Sequence, residues 1–267
     1  MPHAIPTEGR CPVISLASTK GGVGKTTLAY VLATEVTRRL AALHEAATPR
    51  FGRVTCIDAD PNRTLSQVLR LTTDAMITCV ESDGERLLGD LRAALVRSDL
   101  VLIDLEGTAN QSMLYAAGKS NLVLVPAQPS RFDVVEAVKT IGVVRKATDL
   151  VGRDIAHRVV LSRTPVLRQR VADHSRAQFV RAGLPLLPVE LVQRAAFQTM
   201  TYTGEPPYLQ PGGEPAADNV TSLANEVLAI VALHIPQAAA ADHADAAAVP
   251  AAAPRRKPYL RLLENIA

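Results

Sequence analysis

"SLASTKGGVGKTTLAYVLA", residues 15–33, joins an apolar run to a helical pattern through three glycines in four positions, Gly21, Gly22 and Gly24. "PVISLAS" (12–18) reads as a buried strand, and the pattern after the glycines predicts a helix from Lys25 to about Leu43. A glycine-rich turn between strand and helix aims successive backbone N–H groups at one point, and the helix N-terminus adds its positive dipole end. That is an anion site. Lys25 has the reach for the β- and γ-phosphates of a nucleotide, and the Thr26 hydroxyl can ligate Mg²⁺. The strict pattern G-x-x-x-x-G-K-[ST] fails at its first position, where Thr19 stands, and a second lysine, Lys20, precedes the glycines. One lysine suffices to hold a phosphate, so the other needs its own explanation.

Outward from this turn, short apolar runs alternate with helical patterns, which implies a doubly wound, mostly parallel α/β sheet with helices on both faces. "RVTCIDAD" (53–60), "DLVLIDLEG" (99–107), "SNLVLVPAQP" (120–129), "RVVLSRT" (158–164) and "LPLLPVE" (184–190) read as further strands. Helices are expected near 84–97, 110–118, 131–148, 168–182, 191–200 and 217–234. The composition agrees: 48% of residues are apolar but only 3% aromatic, which favours Ala/Val/Leu helices over a buried sheet. Residues 1–11 read as an N-terminal tail without a signal peptide's apolar core, and no run is long enough to span a membrane, so a cytoplasmic protein is expected. Cys11, Cys56 and Cys79 lack metal-like spacing, and their odd number argues against a disulfide framework.

The net charge of +3 is unevenly spread. Between residues 153 and 194 eight arginines face only Asp154, Asp173 and Glu190, a surplus of five. Residues 12–235 read as one domain. The stretch 236–258 is Ala/Pro-rich linker, and 259–267, "YLRLLENIA", is a short amphipathic tail with Tyr259, Leu262, Leu263 and Ile266 at helical spacing.

The octapeptide K-G-G-V-G-K-T-T resembles the deviant Walker A motif of the ParA/MinD family of P-loop ATPases, and the likeness runs from about Val13 to Leu233. "CIDADPN" is similar to that family's D-x-D-P motif, "LVLIDLEGT" to its Walker B strand, and "LVLVPAQPSRFDVVEAV" to the following strand and turn. The resemblance implies ATP and Mg²⁺ as cofactors. Thr19, Lys20, Gly21, Gly22, Val23, Gly24, Lys25, Thr26 and Thr27 would cradle the nucleotide. Asp58 and Asp104, with Thr26, would hold the metal, partly through water. Asp60 would orient the attacking water. Lys20 would be the signature lysine, crossing a dimer interface to the partner's phosphates, so that homodimerisation reports the ATP state. Hydrolysis would be weak until a cargo or stimulating protein raises it.

Two departures qualify the match. Many family members carry Thr-Pro-Pro after the Walker B aspartate, where this chain has Leu105, Glu106 and Gly107, and the usual adenine-side asparagine is absent from "VVLSRTPV". Glu106 reads either as a second acid near the γ-phosphate or as a solvated or N–H-capping side chain. Iron–sulfur branches need thiolate ligands that this chain does not supply. "TPVLRQRVADHSRAQF" and "VQRAAFQTMTYTGEP" look similar to the ParA-like ATPases of conjugative and T-DNA transfer (VirC type). The expected function is therefore a DNA-binding ATPase switch in partitioning, cargo positioning or DNA transfer. It would contact nonspecific DNA through Arg163, Arg168, Arg170, Arg176 and Arg194, on the nucleoid when ATP-bound. The alternatives are a metabolic P-loop enzyme that phosphorylates a small substrate and a MinD-like membrane ATPase. The second is disfavoured because two helical turns grip a membrane only marginally.

The alanine- and proline-rich segment offers little apolar area to offset the entropy of ordering it. Deleting residues 237–267 is therefore expected to leave ATP hydrolysis intact, as a steady-state phosphate-release assay would read. Loss of folding would show that the tail docks on the core.

Overall fold

The apolar strands stack side by side because each is buried on both faces, leaving no polar face to turn to water. In the computed structural model, which describes residues 11–44, 52–72, 74–167 and 170–232, they form a seven-stranded sheet of order β3-β2-β4-β1-β5-β6-β7. The strands are β1 Val13–Leu16, β2 Val54–Ala59, β3 Ile77–Glu81, β4 Leu100–Leu105, β5 Leu122–Ala127, β6 Ala156–Thr164 and β7 Leu191–Val192. Every strand pairing is parallel. Helices α1 Lys25–His44, α2 Thr64–Leu69, α3 Leu87–Leu95, α4 Gln111–Lys119, α5 Arg131–Val151, α6 Arg170–Arg181, α7 Ala195–Thr203 and α8 Glu214–Ile230 cover the two faces. The expected linker and tail, and residues 1–10, lie outside the described residues.

Strand alternation sorts the core into two layers. Ile14, Leu16, Leu100, Leu102, Leu122 and Leu124 pack with α1 and α8 on one face. Val13, Val101, Ile103, Val123 and Val125 pack with α3, α4 and α5 on the other. Arg39 on α1 is buried too: it donates to Glu35 Oε1 (2.8 Å), Asn225 Oδ1 (2.8 Å) and the Thr221 carbonyl (3.1 Å), so α1 is tied to α8 by a satisfied charge.

The structure departs from the expected elements in three places. "LPLLPVE" is not a strand. Only Leu186 bridges to Val159, because Pro185 and Pro188 have no N–H to continue a ladder, and the true strand is the two-residue β7 just beyond. β3 was not anticipated, since this half-buried edge strand lacks the continuous apolar run of its neighbours. α2 is six residues long, too short to show a helical period.

Gly204 closes α7 in the left-handed region (φ 68°), and its carbonyl accepts from Tyr30 Oη at 2.7 Å. A Cβ there would stand 2.5 Å from the Leu71 backbone. Gly204→Ala is expected to destabilise the chain by roughly 1–3 kcal/mol, since the backbone cannot yield as a side chain would. A thermal melt would register this as a fall of several degrees in Tm. An unchanged Tm would mean that the junction of α1, α2 and α7 is looser than the contacts imply.

Candidate nucleotide and magnesium site

The site forms where β1 sits between β4 and β5, because successive crossovers leave in opposite directions there and open a crevice at the carboxyl ends of the strands. Residues 17–24 occupy that crevice as a loop. Gly22 (φ 73°) and Gly24 (φ 96°) make the turn in a backbone region that side-chain-bearing residues rarely enter. The loop is pinned from three sides. Ser162 Oγ on β6 donates to the Val23 carbonyl (2.6 Å), and Gln128 Nε2 donates to the Gly22 carbonyl (3.1 Å). Thr19 N donates to Thr140 Oγ1 (3.1 Å), and Thr19 Oγ1 donates to Glu136 Oε2 (2.6 Å) on α5. Thr19 thus anchors the loop to a helix, a role that a glycine's missing side chain could not fill.

The sheet register sets the acids around the loop. Leu16 lies beside Asp104, and Asp104 beside Asp58, in one row across β1, β4 and β2. Asp58 is fully buried and accepts from the backbone N–H of Ser66 (2.8 Å) and Asp60 (3.2 Å). Asp60 lies one residue beyond β2 and accepts from Asn62 N at 2.8 Å. Asp104 Oδ2 accepts from Thr26 Oγ1 at 2.7 Å, whereas its Oδ1 is buried without a hydrogen-bond partner. Burial pushes the Asp104 carboxyl up to about 7, and the neighbouring Asp58 reinforces the shift. Lys25 is only 6% exposed. Burial lowers its pKa, against the pull of Asp104, Asp60 and Glu106.

These donors suit Mg²⁺. A lone buried carboxylate oxygen beside a threonine hydroxyl is an incomplete coordination set that an ion with its own waters can complete. Among the described residues no group of three or more His, Cys, Asp or Glu could hold a metal unaided.

Lys20 is placed differently. Its Nζ donates to Asp133 Oδ2 at 2.8 Å, with its side chain 38% exposed and that of Asp133 2% exposed. The two lysines of the loop therefore face different surroundings.

The segment after β4, where the sequence departs from Thr-Pro-Pro, packs against the loop. A Cβ on Gly107 would come within 3.0 Å of Gly21 N. Glu106 accepts from Asn110 Nδ2 at 3.0 Å, and Asn110 in turn caps α4.

The chain from residue 11 to residue 206 matches the model of the VirC1 protein family. It belongs to that family. The VirC1-type chain is 29% identical over 196 residues to a ParA protein of Rhizobium radiobacter, covering 72% of this chain and 83% of that one. Its fold is that of the cell division ATPase MinD of Pyrococcus furiosus (TM-score 0.65, 20% identity, 82% of this chain and 99% of that one). A Cyanothece McdA variant solved with ATP shares it too (TM-score 0.64, 17% identity, 81% and 96%).

The expected site residues do not all meet. Thr19 to Thr27, Asp58, Asp60 and Asp104 gather at the carboxyl edge of the sheet. Of the five arginines expected on DNA, Arg163 and Arg194 line a cavity beside Gly24 and Thr27. Arg176 forms ion pairs with Glu190 and with Asp173 Oδ1 (2.9 Å). Arg168 and the Arg170 side chain lie outside the described residues. Two other arginines of the surplus serve as local donors, Arg153 to the Gly118 and Ser120 carbonyls and Arg158 to the His157 carbonyl. Sequence reasoning did not find the Asp133 partner of Lys20 or the Glu136 and Thr140 anchors. They lie more than a hundred residues from the loop, and only the packing of α5 brings them there.

Above its raised pKa of about 7, Asp104 adds a buried negative charge to a cluster whose nearby cation, Lys25, is shared among several acids, so the comparison belongs at about pH 8. Asp104→Asn is expected to raise the Tm of the nucleotide-free chain by a few degrees, because relieving an unsatisfied buried charge gains on the order of 1–3 kcal/mol. Differential scanning fluorimetry would read it. A lower Tm would show that the Thr26 contact outweighs the burial of the charge.

Proposed function

We propose that the chain is an ATP-dependent, dimerising ATPase switch that binds DNA without sequence preference and so partitions or positions a DNA or protein cargo, as in plasmid maintenance or conjugative transfer. The observation that carries this reading is the unequal placement of the two lysines. Lys25 is enclosed behind the loop, where it serves the nucleotide of its own chain. Lys20 is held at the surface by one ion pair, where it can reach the nucleotide of a second chain.

Lys25 and the backbone of residues 19–27 hold the phosphates, with Val23 fixed by Ser162. Thr26, Asp104 and Asp58 hold Mg²⁺, directly or through water, and when bound the ion neutralises charge on the β- and γ-phosphates. Asp60 turns from Asn62 to orient the attacking water. Catalysis by positioning and charge neutralisation, without an independent strong base, gives a slow basal rate that a partner protein raises. A second nucleotide-loaded chain brings its Lys20 to the phosphates in trans, so the dimer reports ATP.

With Arg176 paired to Glu190 and Asp173 and with Arg163 and Arg194 lining the cavity, this reading rests DNA binding on Arg168 and Arg170, which a dimer doubles with a gain in avidity. Arg168 and Arg170 are the leading contacts. The ATP form is then found on the nucleoid, and binding weakens steeply with salt because each phosphate contact releases a counterion.

Sedimentation with a nonhydrolysable ATP analogue tests the dimer. Lys25→Ala is expected to lose nucleotide binding. Lys20→Ala is expected to keep it and to lose the ATP-dependent dimer. A Lys20→Ala chain that dimerises normally would refute the role in trans. On DNA, Arg168→Glu with Arg170→Glu is expected to abolish ATP-dependent retention while sparing the dimer. Equal DNA retention in ADP and ATP would favour the metabolic-enzyme reading instead.

A further inference from the structure

Glu106 has no part in the reading above, although it stands among the groups that do. The enclosed Lys25 ammonium is under the pull of three carboxylates, Asp104, Asp60 and Glu106. Thr26 Oγ1 donates to Asp104, and Asn62 donates twice to Asp60 Oδ1, from N (2.8 Å) and from Nδ2 (2.9 Å). Phosphates arriving at this edge bring more negative charge, so a further carboxylate beside Lys25 opposes their binding. A side chain that weakens the hold on a ligand calls for a role in what happens to that ligand.

The backbone sets its position. A Cβ on Gly107 would stand 3.0 Å from Gly21 N and 3.1 Å from Gly21 Cα, so the missing side chain lets the segment after β4 lie on the loop. Glu106, one residue earlier and half-buried, is thereby fixed beside the loop that would hold the phosphates. Its carboxylate is aimed as well. Asn110 Nδ2 donates to Glu106 Oε2 at 3.0 Å, while Asn110 Oδ1 accepts from Met113 N at 2.9 Å. Asn110 is therefore the cap of α4, and Glu106 is not needed for that task. Among the described residues no other hydrogen bond reaches Glu106, so Oε1 keeps its lone pairs for a further donor.

We propose that Glu106 is a catalytic residue of ATP hydrolysis, its Oε1 accepting a hydrogen bond from the attacking water, and that Asn110 is the positioning residue that presets its carboxylate. The proposal rests on the ATPase reading above and adds a second acid to Asp60. With the water held, its oxygen forms a bond to the γ-phosphorus while the bond to the bridging oxygen breaks, and that electron pair leaves on ADP. One water proton stays on the new P–OH group, and the other moves to another oxygen of the departing phosphate. Glu106 orients the water without keeping a proton.

Calorimetric titration of the full chain with Mg²⁺ and either ADP or a nonhydrolysable ATP analogue, alongside steady-state phosphate release, tests it. Glu106→Gln keeps the volume and removes the charge. It is expected to lower kcat by roughly tenfold to a hundredfold, the range for a misplaced reacting group. It is also expected to tighten the analogue relative to ADP by about threefold or more, because a charge facing the γ-phosphate is gone. Asn110→Ser keeps a capping oxygen for α4 and loses the Nδ2 donor, so kcat is expected to fall with the analogue-to-ADP ratio unchanged. ADP affinity near that of the parent verifies that both variants fold. Parental kcat in either variant, an unchanged affinity ratio in Glu106→Gln, or a joint weakening of both nucleotides, as a merely structural role would give, would overturn the proposal. If the parent itself bound neither ADP nor the analogue, the ATPase reading would fail, and the role of Glu106 with it.

Discussion

Three carboxylates act on one enclosed ammonium at the carboxyl edge of the sheet, and a fourth, Asp58, lies beside them. Lys25 is surrounded by Asp104, Asp60 and Glu106, while the register of β2 against β4 puts Asp58 next to Asp104. In a medium of low polarity such an excess of negative charge is not neutral to the fold. Burial, reinforced by Asp58 and Asp60, raises the Asp104 carboxyl, and one of its oxygens has no hydrogen-bond partner. A core would not retain this arrangement for stability, because apolar residues of similar volume would serve better. A divalent cation with its waters would balance the excess. The Thr26 hydroxyl on Asp104 and the Ser66 N–H on Asp58 then read as contacts that hold the acids in place.

The parts of this edge that were legible in the sequence share one property: their signal is local. β1, β2, β4 and β5 are short apolar runs with a polar stop, and the glycines of the loop lie within four positions. Asp58 and Asp104 could be placed because each ends such a run. What escaped was either too short to carry a period, as with α2, or without a continuous apolar run, as with β3, while the prolines between Leu184 and Glu190 broke a strand that was expected there. The partners of Thr19 and Lys20 escaped for a different reason. They sit on α5 at Asp133, Glu136 and Thr140, and the sequence does not say which face of α5 will meet the loop.

Composition left the placement of the arginines open. A surplus of positive charge between residues 153 and 194 states how many cations there are, not where they point. Folding disperses them: Arg153 tethers the end of α4, Arg176 is neutralised by Glu190 and Asp173, and Arg163 and Arg194 face the cavity beside the loop. Charge runs are therefore weaker guides to a DNA surface than to the presence of anions in general.

The geometry around Lys20 bears on whether a switch of the proposed kind could move. A partly exposed ion pair contributes little, about 0–1 kcal/mol, so withdrawing the lysine from Asp133 costs little on its own side. The risk lies with Asp133, which is buried and would be stranded if Lys20 were its only partner. It is not: Ser130 Oγ donates to Oδ2, and Gln128 N donates to Oδ1 at 3.2 Å. The carboxylate stays hydrogen-bonded after the lysine leaves. Meanwhile Thr19, one residue earlier, remains fastened to Glu136 and Thr140, so the backbone of the loop does not follow the side chain. A hinge confined to the rotamers of one lysine, between a fixed loop and a satisfied acid, would let the phosphates of a second chain, on the proposed reading, compete for that ammonium without disturbing the loop.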